Sequence, residues 1–124
     1  MGADWRNLCK AADLRVEGDM VEISFEDLRR HKVKVRDEED HLLLTAIVVR
    51  RAALEETPDP ELLAWTRNRT SSLVGYRVDS GGRLLGECWV PKAGLDSDEL
   101  QLYLRKLAAD CDRMEHVITG VDVE

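Results

Sequence analysis

The chain has 124 residues with 25 acidic and 18 basic side chains, a net charge of −7, and a hydrophobic fraction of 44%. This length suits one compact domain over residues 1–124, and the hydrophobic fraction excludes a globally disordered chain. An acidic surface repels phosphate groups, so the composition argues against general nucleic-acid binding and against docking to anionic membranes.

The N-terminal residues MGADWRNLCK lack a basic leader followed by an apolar stretch, so we predict no signal peptide and a cytoplasmic location. The longest apolar run, 42–49, is far shorter than the ~20 residues that span a bilayer. The three cysteines, Cys9, Cys88 and Cys111, are odd in number and include no CxxC pair. This disfavours a disulfide framework or a zinc site, and we expect three small buried thiols.

Residues 3–13 are predicted to form a short helix, separated from the next element by a turn at Gly18-Asp19. This prediction depends on apolar residues at helical spacing along one face: Trp5, Leu8, Cys9 and Ala12.

Three strands are predicted next, at residues 20–25, 32–36 and 42–50. The first two alternate apolar and polar residues, whereas the third is almost continuously apolar and is expected to be central in the sheet. They form an antiparallel meander in which the basic strand 32–36 and the acidic connection 37–40 remain solvated.

The second half predicts a helix, a hairpin and a final helix. Residues 57–60 are a helix-start cluster, and that helix is expected to run to about Asn68. Strands at 73–78 and 83–90 flank a glycine turn. Asp96-x-x-Glu99 then predicts a capping box ahead of a long apolar stripe: Leu100, Tyr103, Leu104, Leu107, Cys111, Met114 and Ile118.

The predicted element order is α-β-β-β-α-β-β-α. It indicates an α+β fold with an antiparallel sheet of about five strands and three helices packed on it.

Catalytic motifs are missing from the sequence, which contains no G-x-S-x-G, no Walker loop and no G-x-G-x-x-G. The paired carboxylates at 37–40 and 96–99 are explained by a turn and a helix cap. His31 and His41 flank a predicted hairpin and, with Asp40 or Glu39, form a conceivable metal pair; the alternative is that both are solvated polar residues. We predict no enzyme and no cofactor.

The polar segment Arg67-Asn68-Arg69 directly follows the predicted second helix and has two interpretations. Its cations and amide can satisfy the free carbonyls of the helix end. Alternatively, the two arginines, beside Trp65, can contact an anion or a protein partner.

Trp89 and Leu85 are predicted on one side of their strand, opposite Leu84, Gly86 and Cys88. A strand that is apolar on both faces needs cover on both sides. A second subunit, a bound chain segment, or a helix or tail of the same chain can provide that cover.

Two segments carry a family resemblance: ELLAWTRNRTSSLVGYRVDSGGRLLGECWVP and LDSDELQLYLRKLAADCDRMEHVI. Together they contain a helix, a polar junction with Asn, a glycine hairpin, a strand that ends at Pro, and a long helix. This order of elements resembles the YbjN-type, type III secretion chaperone-like domain. The resemblance implies an α+β fold and a homodimer. For true secretion chaperones it also implies binding the N-terminal segment of a secreted protein, without nucleotide or catalysis. For YbjN-type relatives it implies a regulatory role and no catalytic motif. Asn68 aligns with the polar junction, where its role would be structural.

We therefore expect a non-enzymatic homodimer that binds a segment of a partner protein. The candidate contact residues are Trp65, Arg67, Asn68, Arg69, Tyr76, Leu85 and Trp89. A metal or small-ligand site using His31 and His41, or a structural subunit of a larger assembly, remain the alternatives.

Overall fold

The computed structural model describes residues 4–26, 29–49, 61, 64, 68 and 74–119. Within these residues the chain forms a 3-10 turn, a six-stranded sheet and a long helix. Their bounds are Trp5–Leu8 for the 3-10 turn, Leu14–Glu17 (β1), Met20–Ser24 (β2), Arg30–Asp37 (β3), His41–Val49 (β4), Gly75–Val78 (β5), Leu84–Pro91 (β6) and Ser97–Thr119 (α1).

The sheet is entirely antiparallel, with strand order β1-β2-β3-β4-β6-β5. The predicted meander at 20–50 is confirmed as β2, β3 and β4. β4 lies between β3 and β6, and its almost continuous apolar sequence suits this central position, since both of its edges are paired. The α+β fold class is confirmed.

The predicted helix over 3–13 is wrong. Asp4 caps only a single 3-10 turn, where its side chain accepts a hydrogen bond from the Arg6 N–H at 3.1 Å. Residues 14–17 instead form β1, which a turn containing Gly18 at φ +62° folds back onto β2. The sheet therefore has one more strand than predicted.

The helix α1 begins as the capping box predicts. The Asp96 carboxylate accepts a hydrogen bond from the Glu99 N–H at 2.8 Å. Its apolar stripe packs on the sheet, and the stripe residues up to Met114 are buried, with Tyr103 half-buried. Ile118 lies outside the residues whose side chains are described.

The N-terminal segment is fixed to α1 by polar contacts. Gln101 donates to the Leu8 carbonyl at 2.9 Å, and the Arg105 guanidinium forms two hydrogen bonds with Asp13 at 2.8 and 2.9 Å. These bonds from Arg105 lower the pKa of the Asp13 carboxyl.

Among the described residues, no helix combines the length and the apolar composition that a membrane span requires.

The predicted second helix is described only at Glu61, Ala64 and Asn68, and all three have helical backbone. The hairpin that follows is confirmed. The Asp79 carboxylate accepts a hydrogen bond from the Arg83 N–H at 2.9 Å, and Gly82 supplies the positive φ of 81° that the turn requires.

Candidate functional site

The sheet has two faces of different character. α1 covers one face, where the β-strands contribute most of the core. The opposite face, called the open face from here on, carries the side chains that alternate away from α1. On the three middle strands these are Lys32, Lys34 and Arg36 (β3), Leu43, Thr45 and Ile47 (β4), and Leu85, Glu87 and Trp89 (β6).

Trp89 is the most prominent residue of the open face, with 56% of its surface exposed. Its ring stacks on His41 with centroids 4.8 Å apart, and Leu43 is its direct cross-strand partner. The His41 ring also bonds Asp40 through Nδ1 at 2.7 Å. An exposed tryptophan held in place by neighbours is the kind of side chain that anchors protein interfaces.

Leu85 and Tyr76 differ from Trp89 in their surroundings. Leu85 lies on the open face, as predicted, but it is buried at 4% exposure and is not part of the main core cluster. Tyr76 is buried within that core on the face covered by α1. Of these three predicted contact residues, Trp89 alone is exposed on the open face.

Asn68 connects the predicted second helix to the edge strand β5. Its side-chain amide donates to the Tyr76 carbonyl at 2.9 Å and accepts from the Tyr76 N–H at 2.6 Å. Because β5 pairs with β6 on its other side, these two bonds satisfy backbone groups that the sheet edge would leave unpaired. This is the structural link that the resemblance implied for Asn68.

Trp65, Arg67 and Arg69 lie outside the described residues. Their assignment as contact residues, or as groups that satisfy the end of the helix, therefore remains a prediction from the sequence.

The sheet does not bring His31 and His41 together, so the conceivable metal pair is not formed. Lys34 pairs with Thr45 and Arg36 with Leu43, so even-numbered residues of β3 share a face with odd-numbered residues of β4. Two odd-numbered histidines therefore lie on opposite faces of the sheet. His31 is on the α1 side, where its Nε2 bonds the Ile47 carbonyl at 3.0 Å.

His31 instead lies near two carboxylates of α1. The ligand atoms of His31, Asp112 and Glu115 fall within 4.8 Å of one another. However, the Arg29 guanidinium is 3.0 Å from Asp112 and already supplies a positive charge to that carboxylate. A cation beside the same carboxylate opposes a second one, so the cluster is better suited to ion pairing than to binding a metal.

A cleft of about 480 Å³ lies between the 3-10 turn and the β3–β4 connection. Two ion pairs line it: Asp4 contacts Arg6 at 3.2 Å, and Asp37 contacts Lys92 at 2.5 Å. Both carboxylates are therefore already engaged by a cation of the same cleft.

All three thiols are free and buried, as expected. Burial raises the pKa of Cys9 from its ordinary 9.0 to about 11 and that of Cys88 to about 12, and it also raises the pKa of Cys111. A thiol is a nucleophile only as the thiolate, so these side chains are unreactive in the folded protein.

The same thiols predict a loss of stability in alkali. Below about pH 9 both folded and unfolded chains keep these protons, and the full stability is present. Between pH 9 and about 11 the unfolded chain loses protons that the folded chain keeps, which costs about 1.4 kcal/mol per pH unit for each thiol. Urea unfolding at pH 8, 9 and 10 checks this, and Cys88→Ala is expected to show a shallower decline. Equal slopes in the two proteins would contradict the assignment.

No family model matches the chain, and no curated protein sequence matches it. A chain in the crystal structure of the ExsC–ExsE complex is similar, with a TM-score of 0.60, 17% identity, and coverage of 92% of this chain and 87% of that one. The fold is type III secretion chaperone-like.

Two further solved structures share this chaperone-like fold. One is the heterodimeric ExoU–SpcU complex from the type III secretion system of Pseudomonas aeruginosa, with a TM-score of 0.59, 16% identity, and coverage of 80% of this chain and 82% of that one. The other is the HopA1–SchA chaperone–effector complex, with a TM-score of 0.60, 11% identity, and coverage of 90% and 93%. At these identities the likeness concerns the fold.

The sequence predicts Trp89 on the outer side of its strand, which the structure shows, but it does not single out the neighbours of Trp89 on the open face. It places Leu43 in a buried strand, and Lys32 and Lys34 in a solvated one. Their alternation was visible in the sequence, but the strand order that places them beside Trp89 was not.

Proposed function

We propose that this chain is a non-enzymatic, chaperone-like module that acts as a cytoplasmic homodimer and binds a segment of a partner protein. The observation that carries the proposal is the exposed Trp89 on the open face, with half-buried Leu43 as its cross-strand neighbour. The similar solved structures support it, because all three are protein complexes and one is a chaperone–effector complex.

The bound segment lies across the open face in this proposal. Its apolar side chains contact Trp89 and Leu43, and its backbone can add to the sheet at β1, whose outer edge has no strand neighbour among the described residues. The opposite edge is less suitable, because the Asn68 side chain occupies the outer backbone groups of Tyr76.

Several observations support a binding role over catalysis. One of the similar structures is a chaperone–effector complex, and the buried thiols are held protonated. We infer that residues 1–124 act as one domain, because one core cluster includes residues from the 3-10 turn, all six strands and α1. The resemblance of the second half of the chain to YbjN-type domains supports a regulatory role for this protein.

Native mass spectrometry after gentle affinity purification from the host tests this proposal. We expect a dimer with a sub-stoichiometric protein that can be released. A partner bound permanently at fixed stoichiometry would instead indicate a structural subunit. A bare chain carrying a reproducible small adduct would replace the proposal with a ligand-binding function.

Trp89→Ala is expected to weaken association with the copurified partner by at least about tenfold, because central aromatic residues dominate interface energies. Stability should fall only by about 0.5–1.5 kcal/mol, the contribution of the lost stacking on His41. The matched control is Leu102→Ala on α1, since Leu102 is also 56% exposed but lies away from the open face. Isothermal titration and urea unfolding measure the two effects. A stability loss of about 3–5 kcal/mol would place Trp89 in a core.

A further inference from the structure

The open face is basic although the chain as a whole is acidic. Across the six strands, its described positions carry three acidic side chains, Glu17, Glu22 and Glu87. They also carry six basic ones: Arg15, Arg30, Lys32, Lys34, Arg36 and Arg77. With six basic against three acidic side chains, the face that exposes Trp89 is net basic, although the chain carries −7 overall.

The acids of this face are already paired with arginines. Glu17 lies 3.1 Å from Arg15, and Glu87 forms two hydrogen bonds with Arg77 at 3.0 and 3.1 Å. Glu22 lies 3.9 Å from Arg30.

Lys32 and Lys34 remain outside this pairing. Both are exposed and form no ion pair within the described part of the chain, whereas the neighbouring Arg36 pairs with Glu38. These two ammonium groups are therefore available to a ligand.

The lysines lie close to the apolar anchor. Arg36 is directly opposite Leu43, Leu43 is directly opposite Trp89, and Lys34 is one alternate position along β3 from Arg36. Neighbouring strands are about 4.8 Å apart, so β3 lies about 10 Å from the strand of Trp89. One extended segment can contact both groups.

We propose that the segment bound by the open face is acidic and apolar, with aliphatic or aromatic residues on Trp89 and Leu43 and Asp or Glu side chains on Lys32 and Lys34. This inference rests on the proposed function. Charge complementarity selects the partner, because pairing satisfies two cations that lack a partner among the described residues. A protein segment fits better than a nucleic acid, since the net charge of −7 repels a long polyanion.

A display library of random peptides tests the inference. Peptides of about 12 residues are long enough to cross the sheet, because an extended chain rises about 3.3 Å per residue. Selection on the wild-type protein is expected to enrich peptides that combine apolar residues with Asp or Glu. Selection on Lys32→Glu/Lys34→Glu should lose that preference, and selection on Trp89→Ala should recover few binders.

The enriched peptides then provide a defined probe. Their affinity should fall about tenfold or more in Lys32→Glu/Lys34→Glu. The single variant Lys34→Glu is compared with Lys10→Glu, which changes the net charge equally at an exposed site away from the face. Salt of about 1 M should weaken wild-type binding, since the Debye length falls from about 10 Å at 0.1 M to about 3 Å.

Different failures have different meanings. Enrichment of apolar peptides with no acidic preference would overturn this inference and leave the proposed function standing. No enrichment at all would overturn both. Loss of the dimer in Lys32→Glu/Lys34→Glu would assign the face to a second copy of the chain. Tight binding of single-stranded DNA or of anionic vesicles would assign the face to a polyanion, if that binding depends on the same two lysines. Either result would overturn the inference.

Discussion

Gly86→Ala is expected to destabilise the protein by about 1–3 kcal/mol, although it adds only one methyl group. Gly86 lies on β6 under α1, and a Cβ built there would be 2.4 Å from Cys111 Sγ and 3.2 Å from Leu107 Cδ1. Both side chains are fully buried, so the helix or the strand must shift to admit the methyl group. Urea or thermal unfolding measures the loss.

Two further variants separate close packing from the general effect of replacing a glycine. Gly75→Ala on β5 should change stability by less than about 0.5 kcal/mol, because the added Cβ would lie 3.9 Å from Asn68 Oδ1, an ordinary van der Waals contact. Cys111→Ala removes the clashing sulfur, so the double variant with Gly86→Ala should lose less stability than the two single variants added together. If the stability losses of the two single variants simply add up in the double variant, α1 already moves freely away from Gly86.

Asn68→Ala is expected to cost about 1–3 kcal/mol, because it leaves the N–H and carbonyl of Tyr76 without their side-chain partner at the sheet edge. Asn68→Asp should also destabilise, since a carboxylate can accept from the Tyr76 N–H but cannot donate to the carbonyl. The matched control is Asn7→Ala at an exposed position of the 3-10 turn.

Hydrogen exchange at single amides shows whether the effect of Asn68→Ala is confined to the sheet edge. The Tyr76 amide should exchange much faster in Asn68→Ala than in the wild type, while amides at the centre of β4 keep their protection relative to the global stability. Unchanged exchange at Tyr76 would contradict the edge-closing role of Asn68.

The strands and α1 were predictable where one local pattern decided the outcome. The alternation of Lys32 to Arg36 gave a strand with one solvated side, and the capping box with its apolar stripe gave α1. The N-terminal prediction failed because Trp5, Leu8 and Cys9 fit a helical spacing, whereas the short alternation of β1 depends on pairing with β2.

The candidate site was predictable only in part, since it depends on contacts between distant segments. Alternation placed Trp89 and Leu85 on one side of β6, but it did not show which side of β5 faces α1. Tyr76 was therefore included among the contact residues although it belongs to the core. The register between β3 and β4, which separates His31 from His41, is likewise a tertiary property.

The strand order also determines when the sheet can be completed during synthesis. β4 leaves the ribosome together with β3, but its other neighbour is β6, and His41 pairs with Pro91. Until residues 84–91 have been translated, β4 presents an unpaired edge and two apolar faces, which is the kind of surface that promotes aggregation of nascent chains. Ribosome-bound chains that end before β6 are therefore the species most in need of protection by the folding machinery of the cell.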